Sequence, residues 1–254
     1  MDVQVLPGTS QLEGREDVWK FETLLPYLDK FNQLCQRDST GGWEKCWEEG
    51  LTPWDLRQPT PIMLHLHQTG ALPTGRALIP GCGSGHDVAA IACPKRHVVG
   101  LDISDKAIKR AIELSSSSPN ADCFTFIEED FFSWRPTELF DLIVDYMFFC
   151  AIEPGKRSVW ASQMRDLLKP DGELITLIFP VSNHVGGPPY KLSITDYEEL
   201  LHPMGFEAVS VAENKLAVGP RKGNELIART TLNKADLYTF RQPQRSFLYF
   251  LFVF

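Results

Sequence analysis

The chain has 254 residues, 43% of them hydrophobic and 23% charged, with a formal net charge of −8 at pH 7. Length and composition exclude a low-complexity or collagen-like protein and allow one or two globular domains. The acidic balance disfavours nucleic acid or an anionic membrane as the main partner, because neutralising phosphates requires clustered Lys and Arg.

The beginning of the chain, MDVQVLPGTSQLEG, has neither the basic nor the apolar region of a signal peptide. Apolar runs stay well short of the roughly 20 residues that cross a bilayer. The six cysteines include no CxxC pair, which favours reduced thiols. We therefore expect a cytoplasmic protein without a membrane partner.

The first third of the chain has helical signals and lacks strand signals. Residues 1–16 are polar and are expected to be loose, whereas residues 17–36 place apolar side chains at helical spacing. A tryptophan-rich segment follows, and residues 61–69 predict another short helix. We interpret this region, residues 17–72, as a helical cap on the domain that follows.

After the cap, short apolar runs alternate with amphipathic helices. Strands are predicted at 76–80, 97–102, 123–130, 140–146, 173–180 and 206–213, and helices at 84–93, 104–114, 155–169 and 195–205. This alternation predicts βαβ units and an α/β fold with a mostly parallel sheet. A single domain, 17–232, therefore comprises the cap and an α/β core at 73–232, and a tail follows at 233–254.

Two local signals refine these boundaries. Ser104 is expected to cap the helix that follows the second strand, because its hydroxyl can accept from a free backbone N–H of the first turn. The tetrapeptide KPDG at 169–172 predicts a turn that ends the helix before the fifth strand.

A glycine-rich loop, GCGSGHD, follows the first predicted strand and opens a helix. His86 stands where the dinucleotide fingerprint has its third glycine, and the Gly-Lys-Ser/Thr of a phosphate loop is absent. The pattern favours a ligand without phosphates, whose amino-acid part the glycine backbone approaches closely. Asp87 is a candidate partner for an ammonium group. A plain tight turn is the alternative interpretation.

Acidic and aromatic residues end the next three strands. Asp102 ends the second strand, where a carboxylate can accept both hydroxyls of a ribose. Asp130 is a candidate acceptor for an adenine amino group, and Phe131 can cover a ring face. Asp145 and Tyr146 end the fourth strand, where parallel strands present their carboxyl ends to ligands. A helix-capping aspartate and buried strand ends are the alternatives. Together with the glycine loop after the first strand, however, these three make four suitable strand ends in order, for which chance accounts poorly.

These motifs resemble those of a known enzyme family. GCGSGHD, VVGLDIS, FIEEDFF, FDLIVDY and LLKPDGELI follow the motif order of class I S-adenosylmethionine-dependent methyltransferases. GGWEKCWEEGLTPWD, ELFDLIVDYMFFCAIEP and HVGGPPYKLS resemble the plant thiol and halide (thiocyanate) methyltransferases, the "harmless to ozone layer" group of the thiopurine methyltransferase family. The resemblance covers about residues 40–230. It implies a Rossmann-like, seven-stranded, mostly parallel sheet with an N-terminal helical cap.

The resemblance also implies S-adenosyl-L-methionine as the methyl donor. The family's donor contacts correspond to Trp43, Trp47, Trp54, Gly81, Asp102, Asp130, Phe131 and Tyr146. Because Trp43 and Trp47 are four residues apart, a helix places them on one face. Aromatic faces attract a sulfonium cation and exclude water. Ordinary core packing is the alternative for an isolated pair of tryptophans at this spacing.

The acceptor that the resemblance implies is a small anion: a halide, thiocyanate or bisulfide. Such anions need no general base, and an ordinary thiol, with a pKa of about 8.5, is partly ionised near neutrality. Excess positive charge would hold the anion too tightly, since charge is neutralised in the transition state. Candidate pocket residues are Tyr146, Phe149, Phe179 and Tyr190. Some relatives carry Tyr where Phe179 stands, which leaves the balance between halide and thiol open.

No metal is expected. His65 and His67 lack carboxylate or cysteine partners nearby and are interpreted as surface residues of a helix. The GGPPY motif at 186–190 follows the fifth strand, whereas NPPY-type motifs of amino-methylating enzymes follow the fourth. We therefore interpret GGPPY as a loop.

The final stretch, NKADLYTFRQPQRSFLYFLFVF, departs from the family pattern. We hypothesise a variant end, such as an alternative splice form or a gene-model read-through. Two other functions stay open: methyl transfer to larger thiol metabolites, and a donor-binding but inactive protein with an altered C-terminus. We expect a monomer that acts on a small molecule or anion.

Overall fold

A computed structural model describes residues 30–34 and 41–233 of the chain. The predicted loose N-terminus, most of the predicted first helix and the tail beyond residue 233 lie outside this part. Within the described ranges, no helix has both the length and the hydrophobicity that crossing a bilayer requires.

Seven strands form one sheet. They are β1 (Gly75–Pro80), β2 (Arg96–Asp102), β3 (Phe124–Glu128), β4 (Phe140–Tyr146), β5 (Leu168–Ile178), β6 (Phe206–Glu213) and β7 (Leu226–Leu232). Their order is β3-β2-β1-β4-β5-β7-β6. Strands β1 to β5 pair in parallel, whereas β7 is antiparallel to both of its neighbours. The predicted seven-stranded, mostly parallel sheet is confirmed.

The helices of the described residues cover both faces of this sheet. They are α1 (Gly41–Glu48), α2 (Pro61–Gln68), α3 (His86–Ile91), α4 (Asp105–Ser115), α5 (Arg157–Leu167) and α6 (Ile194–Leu201). Residues 30–34 are also helical. Ser104 caps α4 as predicted, because its Oγ accepts from the Ala107 N–H at 3.1 Å. Gly205, with a φ of 87°, ends the short helical turn that follows α6.

The structure differs from the predicted elements at the KPDG segment and at β7. The KPDG segment does not separate α5 from β5, because β5 already begins at Leu168, opposite Phe140 of β4. The next paired residue of β5 is Glu173, opposite Leu142, so KPDG is a bulge inside the strand. Strand β7 was not predicted, because its sequence LIARTTL contains an arginine and two threonines and therefore resembles a polar segment. In the sheet, Arg229 pairs with the Glu173 carboxylate of the neighbouring β5.

Alternate residues of the central strands pack into two hydrophobic clusters. Leu78 and Ile143 belong to one cluster, which includes Trp160 of α5. Ile79 and Leu142 belong to the other. A parallel sheet covered on both faces requires such strands, which are apolar on both sides. The strand order reverses between β1 and β4, and a crevice for ligands is expected at the carboxyl ends of those strands.

Asp145, near the end of β4, connects this edge of the sheet to the rest of the core. It is 1% exposed, and its two oxygens accept from the Phe149 N–H at 3.0 Å and from Trp160 Nε1 at 2.8 Å. Burial raises the pKa of Asp145 to about 6, against the opposing effect of these hydrogen bonds. Asp145 was one of the strand-end residues expected to meet a ligand. The structure instead supports the alternative of a buried strand end.

The raised pKa gives a prediction for pH dependence. Between pH 3.8, the ordinary pKa of an aspartate, and about 6, the folded chain keeps a proton on Asp145 that the unfolded chain has lost. The free energy of unfolding therefore falls with rising pH in this window, by up to about 1.4 kcal/mol per pH unit from this group. We expect the Trp160 indole N–H resonance to titrate near pH 6. The Trp134 indole is the internal control, and Asp145→Asn should abolish the transition. A Trp160 resonance that stays constant between pH 5 and 7 would contradict the assignment.

Candidate active site

A cavity of about 570 Å³ lies at the carboxyl edge of the sheet, beneath the cap. Its wall includes most of the residues that the sequence predicted for the site: Trp43, Trp47, Trp54, Gly81, Asp102, Asp130, Phe131, Phe179 and Tyr190. Tyr146 and Phe149 are not among the lining residues. The cavity therefore joins cap, glycine loop and strand ends in one place.

The cap contributes a cluster of aromatic rings to this wall. Trp43 and Trp47 both lie on α1 and both face the cavity, as their spacing predicted. The Trp43 and Trp54 rings are 5.4 Å apart, and Trp47 and Trp54 are 6.1 Å apart. Phe31 from the helical segment at 30–34 packs 5.5 Å from Trp43 and 5.2 Å from Trp54. These separations are typical of favourable edge-on and tilted aromatic pairs.

The glycine loop passes directly beneath aromatic rings. Gly81 has a φ of +61°, and a Cβ added there would lie 2.6 Å from the Phe148 ring. Gly83 has a φ of +52°, and a Cβ there would lie 3.3 Å from the Trp47 ring. Both positions need glycine for their backbone conformation. The bare backbone beside the cavity fits the expected close approach of an amino-acid moiety.

Asp102 holds the glycine loop against the end of β2. One carboxylate oxygen accepts from the Gly83 N–H at 2.9 Å and the other from the Ser104 N–H at 3.0 Å. Burial raises the pKa of Asp102, and these backbone hydrogen bonds oppose that rise. Each carboxylate oxygen offers two lone pairs, so both retain acceptor capacity toward the cavity. Asp102 therefore fits the turn role and the ribose-binding role together.

The end of β3 supplies Asp130 and Phe131 to the same wall. The Asp130 carboxylate accepts from the Phe132 N–H at 3.0 Å, which fixes its direction. The Phe131 ring is 4% exposed and packs 5.0 Å from Phe148. Phe131 is thus a core residue and a wall of the cavity at once.

Three carboxylates contribute polar contacts between the cap and the core. The Glu44 carboxylate of α1 accepts from the Ser104 hydroxyl at 2.5 Å and from the Lys106 N–H at 3.2 Å, at the start of α4. Asp55 accepts from the Ser84 hydroxyl of the glycine loop at 2.5 Å. The third carboxylate, Asp87, joins the start of α2 to α3.

Asp87 has a different role from the one that the sequence suggested. Its two oxygens accept from the Thr60 N–H and from the Thr60 hydroxyl, both at 2.7 Å. It is absent from the residues that line the cavity. The structure therefore does not bring Asp87 to the place where we expected a ligand ammonium group. Asp87 instead connects α2 of the cap to α3.

Arg221 is a cavity residue that the sequence did not indicate. It lies in the connection between β6 and β7 and is 4% exposed. Its guanidinium donates to the Trp54 carbonyl oxygen at 2.6 Å and to the Tyr146 hydroxyl. It lies 4.9 Å from the Tyr146 ring centroid and 5.7 Å from that of Phe179. A buried cation therefore contributes to a wall that is mostly apolar but also contains carboxylates and Lys156.

The four predicted acceptor residues separate into two groups. Phe179 and Tyr190 line the cavity, and the Tyr190 N–H donates to the Cys150 carbonyl oxygen at 2.7 Å. Tyr146 lies behind Arg221, and its hydroxyl donates to Glu225 at 3.0 Å. Burial raises the pKa of Tyr146 well above its usual value. The ring of Phe149 is fully buried, 4.3 Å from Trp160, so the structure does not bring Phe149 to the cavity.

The two histidines considered for a metal do not converge with other ligands. His67 Nδ1 lies 3.0 Å from the Arg96 guanidinium, and His65 is exposed. Within the described ranges, no group of three or more His, Cys, Asp or Glu side chains is arranged to hold a metal ion.

The chain and its fold match known proteins. The family model described as Thiopurine S-methyltransferase (TPMT) matches residues 38–239. "Probable thiol methyltransferase 2" of Arabidopsis thaliana is 57% identical over 214 residues, which are 84% of this chain and 95% of that protein. "Thiocyanate methyltransferase 1" of Arabidopsis thaliana is 61% identical over 189 residues, which are 74% of this chain and 83% of that protein.

A solved structure confirms the fold class. The 1,6-didemethyltoxoflavin-N1-methyltransferase of Burkholderia thailandensis, solved with bound S-adenosylhomocysteine, aligns with a TM-score of 0.61 at 16% identity. The alignment covers 80% of this chain and 90% of that one. The sheet and its helices thus have the class I methyltransferase fold that the motifs predicted.

Glu44 provides a test of how the cap supports the cavity. Glu44→Ala removes the contacts to Ser104 and Lys106 and should loosen Trp43 and Trp47, which lie on the same helix. We expect the Kd for S-adenosylhomocysteine, measured by calorimetry, to rise about tenfold, the equivalent of about 1.4 kcal/mol.

The matched control is Glu48→Ala on the same helix. Glu48 pairs with Lys45 at 2.9 Å on the exposed side, so its loss should leave the Kd unchanged. Equal affinities for the wild type and both variants would show that this contact does not support the cavity.

Proposed function

The chain belongs to the thiopurine S-methyltransferase family, and we propose that it transfers the methyl group of S-adenosyl-L-methionine to small anions: thiocyanate, halides and bisulfide. The names of the two plant relatives support a sulfur-containing acceptor. The observation that carries the proposal is the Arg221 guanidinium, a buried cation on the wall of an aromatic cavity. Such a cation attracts an anion that has lost its water.

The residues at the glycine loop and strand ends fit the donor. Asp102 would accept the ribose hydroxyls, Asp130 the adenine amino group, and Phe131 would cover the adenine ring. Gly81 lines the cavity with bare backbone, which the amino-acid part of the donor would approach. S-adenosylmethionine supplies a methyl group already activated on a sulfonium, and the aromatic cluster of the cap would face that cation.

The reaction needs positioning more than acid–base chemistry. The bond from the methyl carbon to the donor sulfur breaks as the bond to the acceptor forms, and the positive and negative charges cancel. Thiocyanate and halides release no proton, so no general base is required. The tasks of the protein are to align the two partners and to exclude water. The aromatic cluster and Phe179 supply the apolar wall for this.

A larger thiol is the second candidate acceptor. The cavity lining also includes the apolar side chains Ile152, Val159 and Pro189, beside the charged Glu153 and Lys156. Apolar lining of this kind suits the hydrocarbon part of a thiol metabolite better than a bare anion. The thiolate would then occupy the position beside Arg221 that we propose for the anion.

We propose a cytoplasmic monomer that requires no metal and uses neither nucleic acid nor membrane as a partner. The acidic net charge of −8 supports the absence of nucleic acid. Reduced thiols, inferred from the cysteine spacing, support the compartment.

Headspace gas chromatography of methyl products tests the acceptor directly. Purified protein is supplied with donor and with iodide, thiocyanate, bisulfide or thiophenol in separate reactions. We expect methyl iodide, methyl thiocyanate and methanethiol. Product from thiophenol alone would favour the larger thiol. Tight donor binding without any product would favour the inactive alternative and contradict the proposal.

Arg221→Met tests the observation on which the proposal depends. The substitution keeps an unbranched apolar chain but removes the charge. We expect the KM for thiocyanate to rise at least about tenfold, since a hydrogen bond to a charged group is lost. The donor Kd should change by less than about threefold.

Lys222→Met is the matched control. It removes a positive charge from the next residue of the same connection, but this side chain is exposed and does not line the cavity. An increase in KM of the same size in both variants would show a general charge effect and would refute the role of Arg221.

A further inference from the structure

Arg221 belongs to a buried chain of polar groups that leads away from the cavity. The guanidinium donates to the Tyr146 hydroxyl, and this hydroxyl donates to one Glu225 oxygen at 3.0 Å. The other Glu225 oxygen accepts from Asn214 Nδ2 at 2.5 Å. Glu225 is 1% exposed and Asn214 is 2% exposed. A carboxyl group is thus enclosed behind the cation that faces the cavity.

This arrangement decides what Tyr146 can offer to an acceptor. A tyrosine hydroxyl has one proton to donate and lone pairs with which to accept. Glu225 takes the proton, and Arg221 donates to the oxygen. The hydroxyl therefore has no proton left for an anion in the cavity. Arg221, whose guanidinium has more N–H donors than these contacts use, can still donate to such an anion.

Glu225 also changes the electrostatic environment of Arg221. Burial raises the pKa of Glu225, whereas the hydrogen bonds from Asn214 and Tyr146 and the charge of Arg221 act in the opposite direction. These partners stabilise the charged carboxylate against the cost of burial. An ionised Glu225 offsets part of the charge that Arg221 presents to the cavity.

We propose that Glu225 is a positioning residue that acts through Tyr146 and Arg221 to keep the acceptor anion from binding too tightly. The inference rests on the proposed function, since it assumes an anionic acceptor beside Arg221. Nucleophilic attack consumes the charge of the anion. Contacts that stabilise this charge in the bound state are weaker in the transition state, and they raise the barrier. A cation whose charge is partly offset still orients the anion but raises this barrier less.

The test is Glu225→Gln, which preserves size and removes the charge. The substitution leaves the charge of Arg221 without the offsetting carboxylate, so the anion should bind more tightly. We expect the KM for thiocyanate and kcat each to fall about tenfold, which leaves kcat/KM within about threefold of the wild type. The Kd for thiocyanate, measured by calorimetry with S-adenosylhomocysteine present, should also fall about tenfold.

Two further variants distinguish positioning from a merely structural role. Glu173→Gln removes another buried carboxylate, which pairs with Arg229 between β5 and β7, away from the cavity wall. It should lower the thermal midpoint and leave KM and kcat unchanged. In Tyr146→Phe, adding Glu225→Gln should produce less than the full tenfold decrease in KM, because part of the effect requires the hydroxyl.

The outcomes separate this inference from the proposed function. Unchanged or higher KM and Kd for thiocyanate in Glu225→Gln would overturn the inference while methyl thiocyanate formation by the wild type stands. Parallel changes in Glu173→Gln would overturn it as well. A wild type that forms no methyl product from any anion would refute the proposed function. The calorimetric comparison of thiocyanate binding would then still test whether Glu225 weakens anion binding.

Discussion

The cap stays over the carboxyl edge of the sheet because its carboxylates accept hydrogen bonds at the start of the core helices. Glu44 reaches the Ser104 hydroxyl and the Lys106 N–H, where the positive end of the α4 dipole also favours a negative charge. Asp55 reaches Ser84 of the glycine loop. The aromatic cluster of the cap then forms the roof of the cavity, and the roles proposed for the strand ends depend on that roof.

The second constraint is the close approach between backbone and aromatic rings. Gly81 lies beneath Phe148 and Gly83 beneath Trp47, at separations that leave no room or little room for a side chain. Asp102 holds this loop from the side by accepting from the Gly83 N–H. Trp47 of the cap and Asp102 at the end of β2 therefore both contact the loop at Gly83, and Phe148 packs on the loop from the segment after β4. This coupling gives a methyltransferase a rigid frame in which the alignment of donor and acceptor can be set.

The charges of the cavity suit a reaction in which two charges cancel. Aromatic rings and carboxylates dominate the region that we assign to the cationic donor, whereas Arg221 stands where we place the anionic acceptor. Glu225 lies behind Arg221, with Tyr146 between them. Strong fixed charge of one sign would stabilise one reactant more than the transition state. In our proposal, the buried chain of Arg221, Tyr146 and Glu225 limits the fixed positive charge that faces the acceptor.

The sequence by itself determined the class of fold, and most of the residues that it indicated for the donor line the cavity. Glycine conformations, strand ends and the spacing of Trp43 and Trp47 are local properties, so short motifs were enough to predict them. The tertiary structure alone decided the positions of Arg221 and Glu225, the burial of Phe149 and the pairing of Asp87 with Thr60. Arg221 and Trp54 are 167 residues apart in the chain, and they meet only because β6 and β7 fold back beside β5. No local pattern encodes such a contact, since it depends on how distant strands pair.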